Sequence, residues 1–146
     1  MTQQIRLKLP QWSKTNVVLI NVRLNEQTLV RMLLDTGAKY TIITPEVARR
    51  LELNLENART VPVATASRVQ SASLVTLQQV DLHGLVVQDI DTVVMGLPSA
   101  LGVEGLLGIS FLLHCRMLLD FPNRLLEFTV ESLNIQTGSC LALSLW

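Results

Sequence analysis

Apolar residues in this chain come in short runs of β character, each closed by a turn signal, and no segment sustains a helical period long enough to organise the fold. That pattern predicts a mostly β domain, with helix as the minor element, in place of alternating βαβ units. Ile5, Leu7 and Leu9 alternate with Arg6 and Lys8 as a half-exposed strand does. Val17 to Leu24 reads as a second strand. Asn25 and Glu26 then make a polar break, and Thr28 to Leu34 resumes the β pattern, so residues 17 to 34 form a hairpin running directly into Asp35.

A short strand follows at Thr41 to Ile43. Thr44, Pro45 and Glu46 then supply a hydroxyl cap, a proline at the first helical position and an acid in the first turn, while Arg49 and Arg50 complement the far end. These signals predict a helix from Thr44 to Leu51. Val61 to Ala66 and Leu74 to Leu82 read as strands flanking a polar loop, Ser67 to Ser73. His83 and Gly84 turn the chain into Leu85 to Val87, and Ile90 to Met95 continues as strand before Gly96, Pro98 and Gly102 break the pattern. A short apolar helix around Ile109 to Cys115 precedes a hairpin from Met117 to Val130 that turns at Pro122 and Asn123.

With 146 residues, 49% of them hydrophobic, the chain is long enough for one cored domain and too short for two, so residues 1–146 are expected to form a single domain. Twelve basic residues balance twelve acidic ones without a basic block, which argues against nucleic acid or an anionic membrane as partner. The longest nearly uncharged apolar stretch, Gly105 to Leu113, is bounded by Glu104 and His114 and falls well short of the ~18–20 residues of a spanning helix. No secretion signal is evident, so a cytoplasmic location and reduced thiols at Cys115 and Cys140 are expected, with a disulfide between them still open. His83 and His114 stand apart without metal-ligand grouping, and no metal or other cofactor is expected. Aromatics make up only 4% of a chain rich in aliphatic side chains, which hints at apolar surface buried between subunits.

The segment that carries chemistry is Met32-Leu33-Leu34-Asp35-Thr36-Gly37-Ala38. A carboxylate at the end of a core strand is expected to sit in low dielectric, where desolvation penalises its charged form. The adjacent glycine leaves room for a substrate or a second backbone, and the threonine hydroxyl can fix the loop. Read alone, Asp-Thr-Gly also fits an ordinary turn in which the Asp side chain bonds its own backbone two residues on. About seventy residues downstream comes a second segment, Gly105-Leu106-Leu107-Gly108-Ile109-Ser110-Phe111-Leu112, a hydrophobic pair closed by glycine.

In that order, and followed by Met117-Leu118-Leu119-Asp120-Phe121 and Leu125-Leu126-Glu127-Phe128, these segments resemble the retropepsin-like (retroviral-type) aspartic proteases over about residues 15–130. The helix at Thr44 makes the chain look more like the single-domain bacterial and cellular members than the compact viral enzyme. The resemblance implies a closed-barrel acid-protease lobe with one or two short helices, active as a homodimer on peptide or protein substrates. It implies Asp35 as the catalytic carboxylate, with Thr36, Gly37 and Ala38 supporting its loop. It also implies a substrate-covering flap near Thr65 to Ser73, in which Thr65, Ala66, Ser67, Arg68 and Val69 contact substrate, and a groove formed by Leu106, Leu107 and Gly108, with Ile109 nearby. The candidate flap departs from the family pattern by containing no glycine, which bears on how such a lid moves.

That chemistry needs two carboxylates sharing one proton, one acting as base toward water and the other donating to the scissile carbonyl. Asp81, Asp89 and Asp120 lack a following Thr/Ser-Gly, and Asp91-Thr92 is followed by Val93, so the second carboxylate is expected from another copy of the chain. The expected interface includes Thr36 and Gly37, with terminal strands at Ile5 to Leu9 or Leu141 to Leu145. Two alternatives remain: a catalytically silent retropepsin-like module that dimerises or binds peptides, and a structural β-barrel whose Asp-Thr-Gly is an incidental turn.

Overall fold

The computed structural model describes residues 2–9 and 17–131. Ten strands and two short α-helices make up the described chain, mostly β as the alternation predicts. Strands β2 (Leu19–Leu24), β3 (Thr28–Leu34), β8 (Gly105–Leu107), β4 (Thr41–Ile43), β7 (Leu85–Val94) and β6 (Val69–Leu82) pair in that order, and β6 returns to β2 to close a six-stranded barrel. Closure rests on Arg23 opposite Asp81 and Leu24 opposite Val80. It is extended by Asn25, whose N–H donates to Gln79 O and whose Oδ1 accepts from Gln79 N. The β2–β3 turn sets Asn25 and Glu26 at φ 49° and 59°, a left-handed pair closed by Gln27 N donating to Leu24 O.

Outside the ring, β5 (Arg59–Ala64) adds to β6 as a two-stranded arm. A second sheet has β1 (Thr2–Lys8), β10 (Leu125–Glu131) and β9 (Arg116–Asp120) in that order. Its inward residues Leu126 and Phe128 are fully buried, and Phe128 meets Phe111 edge-on at 6.4 Å between ring centroids. Phe111 belongs to helix α2 (Ile109–Leu112), so this contact ties the outer sheet to the helix behind Asp35. The main core gathers Val22, Val30, Met32, Leu77, Ile90 and Leu107, while a smaller cluster of Ile42, Val61, Ala72, Val93 and Leu106 lies toward the arm.

Helix α1 (Pro45–Arg50) follows its signals closely: Thr44 is the cap and its Oγ1 accepts from Val47 N at 3.4 Å. The hairpin β9–β10 also turns where expected, between Phe121 and Arg124. Three expectations need correction. The polar loop expected at Ser67 to Ser73 is only a four-residue turn, because Val69 to Ser73 already pair with Thr60 to Ala64. Leu85–Val94 is one continuous strand, bent at Asp89 (φ 59°) where the sequence suggests two. The helix around Ile109 to Cys115 is shorter than expected, ending at Leu112. Leu141 to Leu145 and Cys140 lie outside the described residues. Among those described, no helix is long and apolar enough to cross a membrane.

Candidate active site

Two strands of the barrel meet at Asp35. Parallel pairing sets Leu34 beside Leu107, and one residue later Asp35 N donates to Leu107 O at 3.0 Å. The chain then turns tightly: Gly37 N donates to Asp35 Oδ1 at 2.8 Å and Ala38 N to Asp35 O at 3.3 Å. The local aspartate turn read from the sequence is therefore present, and it holds one carboxylate oxygen in place. Oδ2 has no hydrogen-bond partner among the described residues. Asp35 is only half-buried, and Thr36 and Gly37 are exposed. A single chain thus does not supply the enclosed setting expected for this carboxylate.

Behind the turn, helix α2 pins the next residues: Ile109 N donates to Ala38 O (2.8 Å) and Ser110 N to Lys39 O (3.1 Å). The docking is close enough to require glycine. A Cβ on Gly108 would lie 2.4 Å from Tyr40 O, and one on Gly105 would lie 2.6 Å from Ile42 O. Fully buried Thr41 completes the lock, since its Oγ1 accepts from Gly108 N at 3.2 Å and from the Ser110 hydroxyl at 3.1 Å, while its own N–H donates to Ser110 Oγ at 2.7 Å. Both segments singled out in the sequence thus form one rigid unit beneath Asp35.

Asp35 opens into a cleft of about 710 Å³. Gly37, Ala38 and Leu106 line it near the carboxylate, and the tip of the β5–β6 arm, Thr65 to Arg68, lines it as well. That tip is a closed turn: Thr65 N and Oγ1 both donate to Arg68 O (2.8 and 2.9 Å), and Arg68 N returns to Thr65 Oγ1 at 3.3 Å. The other named residues fall elsewhere. Leu107 is fully buried in the core, Gly108 is buried against Tyr40, Val69 is 70% exposed outside the lining, and neither Thr36 nor Ile109 reaches the lining.

Sequence reasoning missed Lys39, Tyr40, Ile42, Met95 and Leu97, all of which line the cleft. Lys39 and Tyr40 follow the aspartate loop directly, and their adjacency to it was the available signal; Lys39 Nζ sits 5.3 Å from the Tyr40 ring centre. Met95 and Leu97 arrive by tertiary pairing, since β7 runs parallel to β4 and Met95 N donates to Ile43 O. Burial pushes the Cys115 thiol up to about 11, which favours its protonated form at neutral pH. Among the described residues, no three of His, Cys, Asp and Glu cluster to hold a metal ion.

The family model described as "gag-polyprotein putative aspartyl protease" matches residues 20–114, a span containing Asp35, the arm and Gly108. No curated protein matches the chain. Among solved structures it is similar to a retropepsin-like aspartic protease from Rickettsia conorii, at 24% identity and a TM-score of 0.65, covering 89% of this chain and 93% of that one. It is also similar to the retroviral protease-like domain of Ddi1 from Leishmania major, at 17% identity and a TM-score of 0.54, covering 82% of this chain and 92% of that one. With its closed barrel, its aspartate turn and its paired glycines in place, the chain belongs to the gag-type aspartyl protease family and has the retropepsin-like fold.

Proposed function

We propose that two copies of this chain form an aspartic endopeptidase in which the two Asp35 carboxylates activate one water against a peptide bond. The observation that carries this reading is that, among the described residues, Asp35 is the only carboxylate lining a cleft large enough for several side chains. It stands at an exposed turn that a second copy can reach. Oδ1 is held by Gly37 N–H, which fixes the carboxylate's orientation, and Oδ2 is left to address water or the partner carboxylate. One Asp35 then takes a proton from water while the other, protonated, donates to the carbonyl oxygen. The β5–β6 arm covers the substrate.

Two apposed carboxylates do not readily both ionise, so the pair keeps one proton and titrates as a unit. Cleavage is therefore expected to be greatest in mildly acidic solution and to decline as that proton is lost toward alkaline pH. Incubation with an unbiased peptide library, followed by product sequencing, tests this directly. Cleavage by the wild type and none by Asp35→Asn is the expected result, and equal cleavage by both would refute it. A second reading, peptide binding without turnover, draws on the glycine-free arm tip closed by three hydrogen bonds; it predicts that the library binds and stays intact.

A further inference from the structure

The cleft carries an uneven set of charges. Among the described residues, its lining holds Asp35 as sole acid and two bases, Lys39 beside the aspartate loop and Arg68 on the arm tip; every other described lining residue is uncharged. Neither base has a carboxylate partner among the described residues, where the ion pairs are Arg6–Glu127 and Arg50–Glu104. Both are exposed, so each can reach a ligand without leaving a buried contact. The walls between them are apolar, with Ala38, Ile42, Val63, Leu97 and Leu106.

Resting on the reading of this cleft as a peptide site, we infer that it selects peptides bearing Asp or Glu side chains on either side of an apolar core. The apolar segment fills the walls, and acidic side chains flanking it pair with Lys39 and Arg68. A completed two-copy site strengthens the bias. It places two lysines and two arginines around a pair of aspartates that share a proton and so carry about one negative charge. Arm closure over the peptide removes water from these contacts and raises their worth above that of open surface pairs. Basic peptides are disfavoured by the same field.

The test uses three peptides with one apolar core, flanked by Glu, Gln or Lys. Each is assayed for kcat/KM with wild type and with Lys39→Glu and Arg68→Glu at low and high salt, and for binding to Asp35→Asn. The expected result is a preference for Glu over Gln of about fivefold per contact at low salt, shrinking with salt. Each reversal should turn the preference toward Lys at its own flank. Equal handling of the three peptides by the wild type, or a preference for Lys, would overturn the inference. Absence of all cleavage, together with tighter binding of the Glu peptide to Asp35→Asn, would refute the peptidase reading while upholding the charge selection. Absence of both cleavage and binding would overturn the selection too.

Discussion

Gly37 and Gly108 flank the same loop but are constrained differently. A Cβ on Gly108 would fall among backbone atoms of Ala38 and Tyr40, so the loop itself has to move. Gly108→Ala is therefore expected to cost about 1–3 kcal/mol or more in urea unfolding, and an unchanged midpoint would contradict the close docking. A Cβ on Gly37 would meet only Asp35 Oδ1, at 3.2 Å. Gly37→Ala should thus leave stability within about 1 kcal/mol of wild type while displacing the carboxylate, so that peptide cleavage falls with the fold intact. The two variants separate the turn's structural role from its chemical one.

At the level of elements, most strands were legible because their alternation or their turn residues are local. The β2–β3 hairpin, helix α1 and the β9–β10 hairpin announce themselves through Asn25-Glu26, Thr44-Pro45 and Pro122-Asn123. The start of β6 was not legible. Gln70, Ser71 and Ser73 belong to an arm with solvent on much of its surface, where polar residues are tolerated and the alternation disappears. Asp35 with its loop was found by motif, but Met95 and Leu97 enter the cleft through the pairing of β4 with β7, which no local pattern reports. The lock between β4 and α2 hangs on Thr41, whose Oγ1 serves the buried Gly108 N–H and the half-buried Ser110 hydroxyl. Thr41→Val keeps the shape and leaves Gly108 N–H and Ser110 Oγ without that acceptor. A loss of about 1–3 kcal/mol in thermal or urea unfolding is expected, and a neutral result would show the lock to be dispensable.

Across the whole molecule, the outer sheet joins the described ends of the chain, with Thr2–Lys8 paired along Leu125–Glu131. Gln3 Oε1 accepts from Val86 N of the barrel, while Gln4 and Arg6 both donate to Glu127. The Arg6 guanidinium and the Gln4 amide hold the Glu127 carboxyl below the usual range. A lowered carboxyl contributes stability that is present above its unfolded value and is lost as pH falls through the folded one. Protection factors of the β1 amides should therefore drop in strong acid, below the ordinary glutamate range of about 4, and that drop should vanish in Glu127→Gln. Mildly acidic solution lies above this window, so the outer sheet remains docked where cleavage is expected to peak.

The central claim, that catalysis needs one Asp35 from each of two copies, is tested most directly by mixing wild type with Asp35→Asn at fixed total concentration and allowing the subunits to exchange. A mixed pair lacks one carboxylate, so activity should follow the square of the wild-type fraction, about one quarter of the full rate in an equal mixture. A linear fall, to about one half in the equal mixture, would mean that a single chain carries out the chemistry and would contradict the account.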